Sequence, residues 1–462
     1  MPEELDLSQA KEKFLELIQS DDVLAIREFL NNQNISDVAM LINEFQDYEA
    51  QIIGNLSIHR AASTFKILDF PAQERIITEL PPFKTAELLN ELPADDRTSF
   101  LEDLPSEVLK ELIKMLDPEE RKITLSLLGY PESSVGRLMT PDYIAVQRDW
   151  TVQEVIDHIR EVGKDSETID VIYVVDDKGV FIDDIRIREI ILAHPDKKIE
   201  DVIDNRYIAL NVHDDQEMAN QAFKMNNRVA LPVLDDHKVL LGIVTIDDVL
   251  WVASEEFTED IQKIGGTEAL DEPYLEMPIL KLFKKRIVWL VVLFLSEMLT
   301  ATAMGYFEDE IAKAVVLALF VPLIISSGGN SGSQASTLII QAMALGELTI
   351  MDWWLVVRRE ILSGLLLGAV LGIIGFTRVM LWNQLFHTYG EHSMLIAATV
   401  GFSLVGVVLW GTLAGSMLPI LLKKFGADPA TSSAPFVATL VDVTGLVIYF
   451  TVAFIFMRGV LL

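Results

Sequence analysis

Residues 434–457 have the sequence APFVATLVDVTGLVIYFTVAFIFM, and Asp442 is the single charged residue in this run. A helix needs about 20 apolar residues to cross a hydrocarbon core roughly 30 Å thick, so the run is long enough to span a membrane. A helix would also satisfy its own backbone amides in lipid. The stretch therefore predicts an integral membrane protein with α-helical spans.

Four further apolar runs precede this one, so the sequence predicts five transmembrane helices. Basic residues lie before the first run and in the loops at 343–360 and 423–433. Because loops rich in Lys and Arg face the cytoplasm, we expect the N-terminus inside and the C-terminus outside. The predicted spans are 287–307, 312–328, 361–383, 393–422 and 434–457, and the basic residues are Lys281, Lys284, Lys285, Arg286, Arg358, Arg359, Lys423 and Lys424.

The part of the chain before the spans is soluble and strongly acidic. Of the 37 Lys and Arg and the 69 Asp and Glu residues, only 7 and 10 lie from Ile287 onward. This excess of carboxylates disfavours nucleic acid and favours cationic partners. The chain has no cysteine, which excludes disulfides and thiolate metal sites. Its first residues lack the basic and apolar segments of a secretory signal, so we expect the acidic region to remain in the cytoplasm.

Proline recurs at a nearly regular interval in the first third of the chain. Because proline is favoured at the start of a helix, the spacing predicts a superhelical pile of short helices. An irregular helical domain is the alternative interpretation. We assign residues 1–137 to this acidic helical domain, whose repeating prolines are Pro71, Pro81, Pro93, Pro105 and Pro118.

Short β-branched runs follow, first at Val171–Val175 and again at 231–244, each behind an amphipathic helix. This order predicts two tandem α/β modules, at 138–199 and 200–252. The segments Met139-Thr140-Pro141 and 242–248 are similar to those of CBS domains, which usually occur in such pairs.

A single helix is predicted from Asp247 to Ile264, where Gly265 and Gly266 end it. We assign residues 253–280 to a connecting segment and residues 281–462 to the transmembrane domain. The predicted fold class is thus a multidomain membrane protein with an all-α superhelical domain, tandem α/β modules, a connecting helix and a five-helix transmembrane domain.

Asp442 is the first candidate functional residue, because it lies about 10 Å of helix inside the last span. A carboxylate at that depth costs several kcal/mol of free energy unless it is solvated, so it usually faces a cavity or an ion path. Thr439 and Thr444 place hydroxyls near it, while Ala438 and Gly445 keep the helix surface compact. A protonated Asp442 that hydrogen-bonds a neighbouring helix is the alternative, and we favour the ion path.

A run of small polar residues, Ser326-Ser-Gly-Gly-Asn-Ser-Gly-Ser-Gln334, follows the second apolar segment. We expect irregular backbone here, which at membrane depth survives only where protein or water satisfies its amides. The run should then border an aqueous cavity whose neutral oxygens suit a hydrated cation. A Gly-rich cytoplasmic turn is the alternative.

These two motifs, together with Asp428-Pro429-Ala430, resemble the MgtE family of magnesium channels and transporters. The resemblance extends over the whole chain, since that family also has a helical domain, a CBS pair, a connecting plug helix and five spans. It implies a homodimer in a bacterial inner membrane, with Asp442 as the pore Mg²⁺ ligand and Asn330 and Thr439 beside it. It also identifies Glu255 to Asp260 as part of the plug helix.

The physical chemistry of Mg²⁺ agrees with this implication. Mg²⁺ prefers oxygen ligands and gives up its water reluctantly, so one carboxylate per subunit with neutral oxygens suits a hydrated ion. Inward movement of the ion gains roughly 4.6 kcal/mol per 100 mV of inside-negative potential. The sequence has no Walker motif, so we expect a channel or transporter and not an enzyme.

The acidic region suggests feedback by cytosolic Mg²⁺. Carboxylates of the helical domain, the CBS pair and the plug helix would repel one another unless cations lie between them. Mg²⁺ would then bridge these parts and close the pore, whereas its loss would let them separate. The regulatory candidates are Asp95, Asp96, Asp247, Asp248, Glu255, Glu256, Glu259 and Asp260.

The CBS pair also contains a candidate binding site for ATP. Gly242, Thr245 and Asp248 form one copy of the Gly-x-x-Ser/Thr-x-x-Asp ending through which such modules often bind adenine nucleotides. The first module lacks the motif, so one nucleotide site per subunit is the most that we expect. Short motifs of this kind have many false positives, so the motif alone does not establish ATP binding.

Two other classes of protein compete with an ion channel. A membrane-anchored nucleotide sensor has no use for an acid and polar residues within its spans. An intramembrane aspartyl protease needs two catalytic aspartates in the bilayer, and Asp442 is the one well inside. Glu297, the other acid within a span, either pairs with a neighbouring helix or lines the outer vestibule.

Overall fold

The computed structural model describes residues 7–20, 22–270, 273–275, 277–458 and 460. The chain divides into two compact units, Met1–Ser254 and Glu255–Leu462.

The first unit begins with a series of short helices. Pro71, Pro82 and Pro118 lie in the first turns of three of them, and Pro93 and Pro105 immediately precede two more. The prediction that proline starts a short helix is therefore confirmed for these five helices, with Pro82, next to the predicted Pro81, as the first residue of one of them. The helices are α1 (Leu7–Ser20), α2 (Val23–Asn32), α3 (Ile35–Glu44), α4 (Glu49–Asn55), α5 (Ile58–Phe65), α6 (Phe70–Glu79), α7 (Pro82–Glu91), α8 (Ala94–Glu102), α9 (Ser106–Met115), α10 (Pro118–Leu127) and α11 (Val135–Leu138).

One apolar core runs through these helices, from Phe14 in α1 to Leu116 after α9. The side chain of Arg97 is fully buried in α8, where it donates hydrogen bonds to Thr124 Oγ1 and to the carbonyl oxygens of Leu89 and Leu92. Since a buried cation is costly unless it is paired, this network also fixes the orientation of α8. The first turn of α8 carries Asp95 and Asp96.

Two small sheets of identical topology follow, which confirms the two predicted α/β modules. In each sheet the middle strand pairs parallel with the first strand and antiparallel with the last. The two sheets meet edge to edge where Val180 bridges to Val239. The elements are β1 (Ala145–Gln147), α12 (Val152–Val162), β2 (Val171–Val175), β3 (Phe181–Arg186), α13 (Ile187–Leu192), β4 (Leu210–Asn211), α14 (Gln216–Asn226), β5 (Ala230–Leu234) and β6 (Leu240–Thr245).

A continuous helix, α15 (Ile246–Ile264), follows the second sheet, as predicted. Asp247 and Asp248 lie in its first turn, where the positive end of the helix dipole favours acidic side chains. The helix ends at Gly265-Gly266, and Gly266 has a φ of +76°, a conformation that favours glycine.

Among the residues that the structure describes, the second unit contains five helices that are long and apolar enough to cross a membrane, as predicted. Four of them pack closely, whereas the first is exposed along most of its length and contacts mainly the last. The long helices are α16 (Ile279–Tyr306), α19 (Val321–Ala344), α20 (Trp353–Phe386), α21 (Ser393–Lys424) and α22 (Ala434–Met457), and the short helices α17 (Glu308–Lys313) and α18 (Val315–Ala318) lie between α16 and α19.

The prediction of irregular backbone at Ser326–Gln334 is wrong, because α19 continues through this run. Its glycines serve helix packing. A Cβ atom at Gly411 of α21 would lie 2.4 Å from the Gly328 carbonyl oxygen, and one at Gly415 would lie 2.1 Å from that of Gly332. Small residues allow two helix backbones to approach closely in a membrane. The second span consequently extends to Ala344, well beyond the predicted end at 328.

Candidate functional site

Asp442 lies half-buried on α22, opposite the backbone of α19. Its Oδ1 atom is 3.4 Å from the point that a Cβ of Gly329 would occupy. Because Gly329 has no side chain, the α19 backbone leaves space beside the carboxylate. Asn330, the next residue, is exposed, and its Nδ2 atom is 3.5 Å from Ser326 Oγ. The structure thus brings Asp442 next to the segment that carries Asn330.

The hydroxyl groups near Asp442 form hydrogen bonds within and between the helices. Thr439 Oγ1 donates to the carbonyl oxygen of Pro435 at 2.9 Å, and Thr439 is buried. Thr444 Oγ1 accepts a hydrogen bond from Trp410 Nε1 at 2.7 Å, which ties α22 to α21. Thr444 Oγ1 also donates to the carbonyl oxygen of Leu440 at 2.8 Å, so neither hydroxyl hydrogen is available to the carboxylate.

Two serines of α19 hold the start of α22. Ser333 Oγ donates to the carbonyl oxygen of Ala434 at 2.9 Å, and Ser336 Oγ donates to that of Ser432 at 3.1 Å. The sequence had suggested Ser333 as part of a polar cavity, whereas its hydroxyl hydrogen bonds to backbone. This anchoring fixes the register between α19 and α22, and therefore the position of Asp442 relative to Gly329.

An acidic cluster forms in the first unit, where the first turns of α8 and α15 come together. It contains the four predicted residues Asp95, Asp96, Asp247 and Asp248. Lys66, which follows α5, lies between the two helix starts: its Nζ atom is 3.3 Å from Asp96 Oδ2 and 3.7 Å from Asp247 Oδ2. Lys66 could not be predicted, because a single lysine after a short helix has no distinguishing pattern.

Burial and mutual repulsion disfavour charge on these carboxylates. Burial, and then the charges of Asp248, Asp96 and Glu167, raise the pKa of Asp95 well above its usual range. Burial raises the pKa of Asp248 to about 7, although its hydrogen bond with Thr245 opposes the rise. Burial opposes charge on Lys66, but the nearby carboxylates outweigh it and raise the pKa of the lysine. Glu167 is thus a further member of the cluster that sequence reasoning missed.

The cluster offers the oxygen ligands that Mg²⁺ prefers. Asp95 Oδ1 is buried and has no hydrogen-bond partner among the residues that the structure describes. Within the same described part of the chain, however, no three Asp, Glu or His side chains converge closely enough to hold a metal ion. The donor chemistry fits Mg²⁺, and the Lys66 ammonium is the positive charge that the structure places among these carboxylates.

A second acidic group lies in the second unit, around the end of α15. Lys263 Nζ is 2.5 Å from Glu259 Oε1 and 2.7 Å from Oδ2 of Asp428, a residue of the turn before α22. Burial and the charge of Asp428 raise the pKa of Asp260 to about 6, and Lys263 lowers it. The charge of Glu256 also acts on Asp260. Glu255 is exposed, one turn before Glu259.

The nucleotide candidates have other contacts in this structure. A Cβ at Gly242 would lie 2.6 Å from the carbonyl oxygen of Thr140, so this glycine permits close packing of the chain. Thr245 Oγ1 lies 2.5 Å from Asp247 Oδ1 and also contacts the Asp248 carboxylate. Asp248 itself belongs to the acidic cluster. The motif is therefore built into the strand-to-helix corner that starts α15.

Family models match three parts of the chain. A model of MgtE, described as a divalent cation transporter, matches residues 321–452. The MgtE intracellular N domain matches residues 33–133, and the CBS domain matches residues 135–196 and 182–255. The matched parts include Asp442, the acidic cluster and most of α15.

Curated relatives are similar over most of their length. The magnesium transporter MgtE of Thermus thermophilus is 39% identical, with 76% of each chain covered. The magnesium transporter MgtE of Bacillus subtilis is 26% identical over 95% of this chain and 98% of its own. Among solved structures, the cytosolic domain of the Mg²⁺ channel MgtE in complex with ATP has 32% identity and a TM-score of 0.51, with 52% of this chain and 99% of that chain covered.

Proposed function

The chain belongs to the MgtE family of magnesium transporters, and from this we propose that it conducts Mg²⁺ inward, down the electrochemical gradient, along a path that passes Asp442. The single observation that carries the proposal is the position of Asp442, half-buried within a span, with its carboxylate against the α19 backbone at Gly329. A charged group at membrane depth usually lines such a path.

The chemistry of the site favours a hydrated divalent ion. A carboxylate supplies charge, and the Asn330 amide and the oxygen of Thr439 supply neutral hydrogen-bonding groups for the water shell. Mg²⁺ keeps several waters in most protein sites, so such sparse ligands suit it. The membrane potential supplies the driving force, at roughly 4.6 kcal/mol per 100 mV for a doubly charged ion.

The active form that we propose is a homodimer in a bacterial inner membrane, with the N-terminus in the cytoplasm and the C-terminus outside. Two copies would place two Asp442 carboxylates around one path. The basic residues near the start of α16 and at the end of α21 support this orientation.

We further propose that cytosolic Mg²⁺ closes the pore by binding to the acidic cluster and to the end of α15. Buried carboxylates that repel one another favour separation, and a divalent cation reverses that preference because it binds only the closed arrangement well. The residues assigned to this role are Asp95, Asp96, Asp247 and Asp248 in the first unit and Glu255, Glu256, Glu259 and Asp260 along α15.

ATP is a second candidate ligand of the CBS pair. The observation that favours it is the similarity to a cytosolic domain solved in complex with ATP. Equilibrium dialysis of the full-length protein with labelled ATP tests it, and Thr245→Val should weaken binding if the Gly242, Thr245 and Asp248 corner is the site.

Metal flux into liposomes tests the main proposal. The parent protein should carry Mg²⁺ inward, and Asp442→Ala should abolish the flux while the protein still purifies as a folded species. Asp442→Asn removes the charge but keeps an oxygen that can accept hydrogen bonds, so it tests whether the flux requires the charge. Glu391→Gln is the matched control, because it removes an exposed carboxylate outside the long helices. Flux at the parent rate through Asp442→Ala would exclude this residue from the path.

A further inference from the structure

Glu297 is a carboxylate in an otherwise apolar part of α16. It is exposed in the single chain, and its neighbours Met298 and Leu299 are exposed apolar residues. A charge on a lipid-facing helix surface is expensive, so such residues face the interior of an assembly or a water-filled cavity. Something other than lipid must therefore accompany this side chain.

The packing of α16 against α22 brings Glu297 to the level of Asp442. The ring of Phe307, just after α16, stacks on Phe450 of α22 with centroids 4.7 Å apart. As the first and fifth of five consecutive spans, the two helices run in the same direction. Glu297 lies ten residues before Phe307 and Asp442 eight residues before Phe450, so at 1.5 Å per residue the two differ in height by only about 3 Å.

The two carboxylates thus lie at nearly one depth on two helices that contact each other. Two like charges at one depth of a membrane repel each other strongly, because little water screens them. The arrangement is stable only if a cation lies between them or if they share a proton.

Thr300 supplies an independent indication of a ligand. It is 8% exposed, and its Oγ1 atom has no hydrogen-bond partner among the residues that the structure describes. Thr302, two residues later, donates to the carbonyl oxygen of Met298 at 3.1 Å. Thr300 shares a helix face with Ala303 and Phe307, which pack in the core that contains α22. An unpaired buried hydroxyl costs free energy, and here it lies one turn from Glu297.

Building on the conduction path proposed above, we propose that Glu297, Thr300 and Asp442 together form a divalent-cation site, so that each subunit contributes two carboxylates to the path. In the proposed dimer the path then carries four carboxylates, two from each subunit, and this concentration of negative charge holds a divalent ion far more tightly than a monovalent one. Glu297 thus determines how tightly the path holds Mg²⁺ and how well it rejects Na⁺ and K⁺. Asp442 alone supplies the charge that conduction requires.

The test is flux through full-length protein in liposomes, measured as a function of external Mg²⁺. Glu297→Gln should conduct Mg²⁺, but with a half-saturating concentration higher by about tenfold, as expected when a site loses one charged ligand. It should also admit Na⁺ that the parent excludes. Glu297→Asp keeps the charge, so its half-saturating concentration and its Na⁺ exclusion should be close to those of the parent. This variant separates the loss of charge from a folding defect. Thr300→Val should raise the half-saturating concentration less.

Unchanged half-saturation and unchanged Na⁺ exclusion in Glu297→Gln would overturn the site and leave a shared proton between the carboxyl groups as the explanation. The Glu391→Gln control should match the parent in both measurements. Failure of this inference differs from failure of the proposed function, because in the latter case the parent itself carries no Mg²⁺.

Discussion

The ammonium group of Lys263 lies 2.7 Å from the carboxylate of Asp428, which ties the end of α15 to the turn before α22. Glu259, one helical turn before Lys263, accepts from the same ammonium at 2.5 Å. Burial opposes charge on Lys263, but these hydrogen bonds outweigh it and raise the pKa of the lysine. The lysine therefore remains charged at physiological pH and provides a fixed cation where we propose that Mg²⁺ acts.

Lys263→Gln should raise the Mg²⁺ concentration that half-inhibits flux. Without the ammonium, the carboxylates of Glu259, Asp260 and Asp428 repel one another, and more Mg²⁺ is needed to hold the end of α15 in place. Patch recordings over a Mg²⁺ titration measure the shift, which we expect to be several-fold. Lys424→Gln is the control, since Lys424 is an exposed lysine at the end of α21. An inhibition curve identical to that of the parent would show that the ion pair is structural only.

Neutralising Glu255, Glu256 and Glu259 together should leave permeation intact and keep the channel open at Mg²⁺ concentrations that close the parent. The reason is that Mg²⁺ shifts the equilibrium only through its greater affinity for the closed form. If these residues acted by repulsion alone, the triple variant would instead close more readily when Mg²⁺ is scarce. The same titration separates the two results, and an unchanged curve would make these residues an ordinary solvated helix face.

The acidic cluster should make the stability of the protein depend on pH. The pKa of Asp248 is raised to about 7 from an ordinary value near 3.8. A carboxyl group with a raised pKa in the folded state favours folding when it is protonated, and this contribution is lost as pH rises from about 4 to 7. The thermal midpoint of the full-length protein without Mg²⁺ should therefore fall across this range.

Asp248→Asn is the variant that isolates this contribution. It should flatten the pH dependence between about pH 4 and 7, and it should also weaken the stabilisation by Mg²⁺ at about pH 8, where protons no longer compete for the carboxylates. Asp196→Asn, which changes an exposed aspartate, should retain the dependence of the parent. A parent midpoint that is flat over this range would contradict the assignment.

The elements that depend on local patterns could be predicted from the sequence. Apolar length predicted the five spans, and regular prolines predicted the short helices α6 to α10. The acidic cluster was predicted in part, since Asp95, Asp96, Asp247 and Asp248 do meet. Lys66 and Glu167 were missed because their participation depends on contacts between distant parts of the chain, which no local spacing records.

The polar run in α19 could not be interpreted from the sequence for a different reason. Glycine and serine disfavour an isolated helix, so the run suggests a break. In the folded unit the same glycines permit contact with α21, and this packing outweighs the local preference. Gly328 and Gly332 serve that contact, whereas Gly329 faces Asp442.

Gly411 and Gly329 should therefore respond differently to substitution by alanine. A methyl group at Gly411 would lie 2.4 Å from the Gly328 carbonyl oxygen, whereas one at Gly329 would lie 3.4 Å from both Asp442 Oδ1 and the Ala438 Cβ. Gly411→Ala should destabilise the protein by about 1–3 kcal/mol, as overpacking typically does. Gly329→Ala should fold normally but narrow the space beside the carboxylate, and thus reduce Mg²⁺ flux.

Thermal unfolding and liposome flux of both variants check this contrast. The expected result is a lower thermal midpoint for Gly411→Ala, and a parent-like midpoint with reduced flux for Gly329→Ala. Gly305→Ala is the matched control, because no atom lies within 4 Å of a Cβ at that position in the described structure. Parent-like flux through Gly329→Ala would mean that the ion does not pass between Gly329 and Asp442, and the path would have to follow another face of α22.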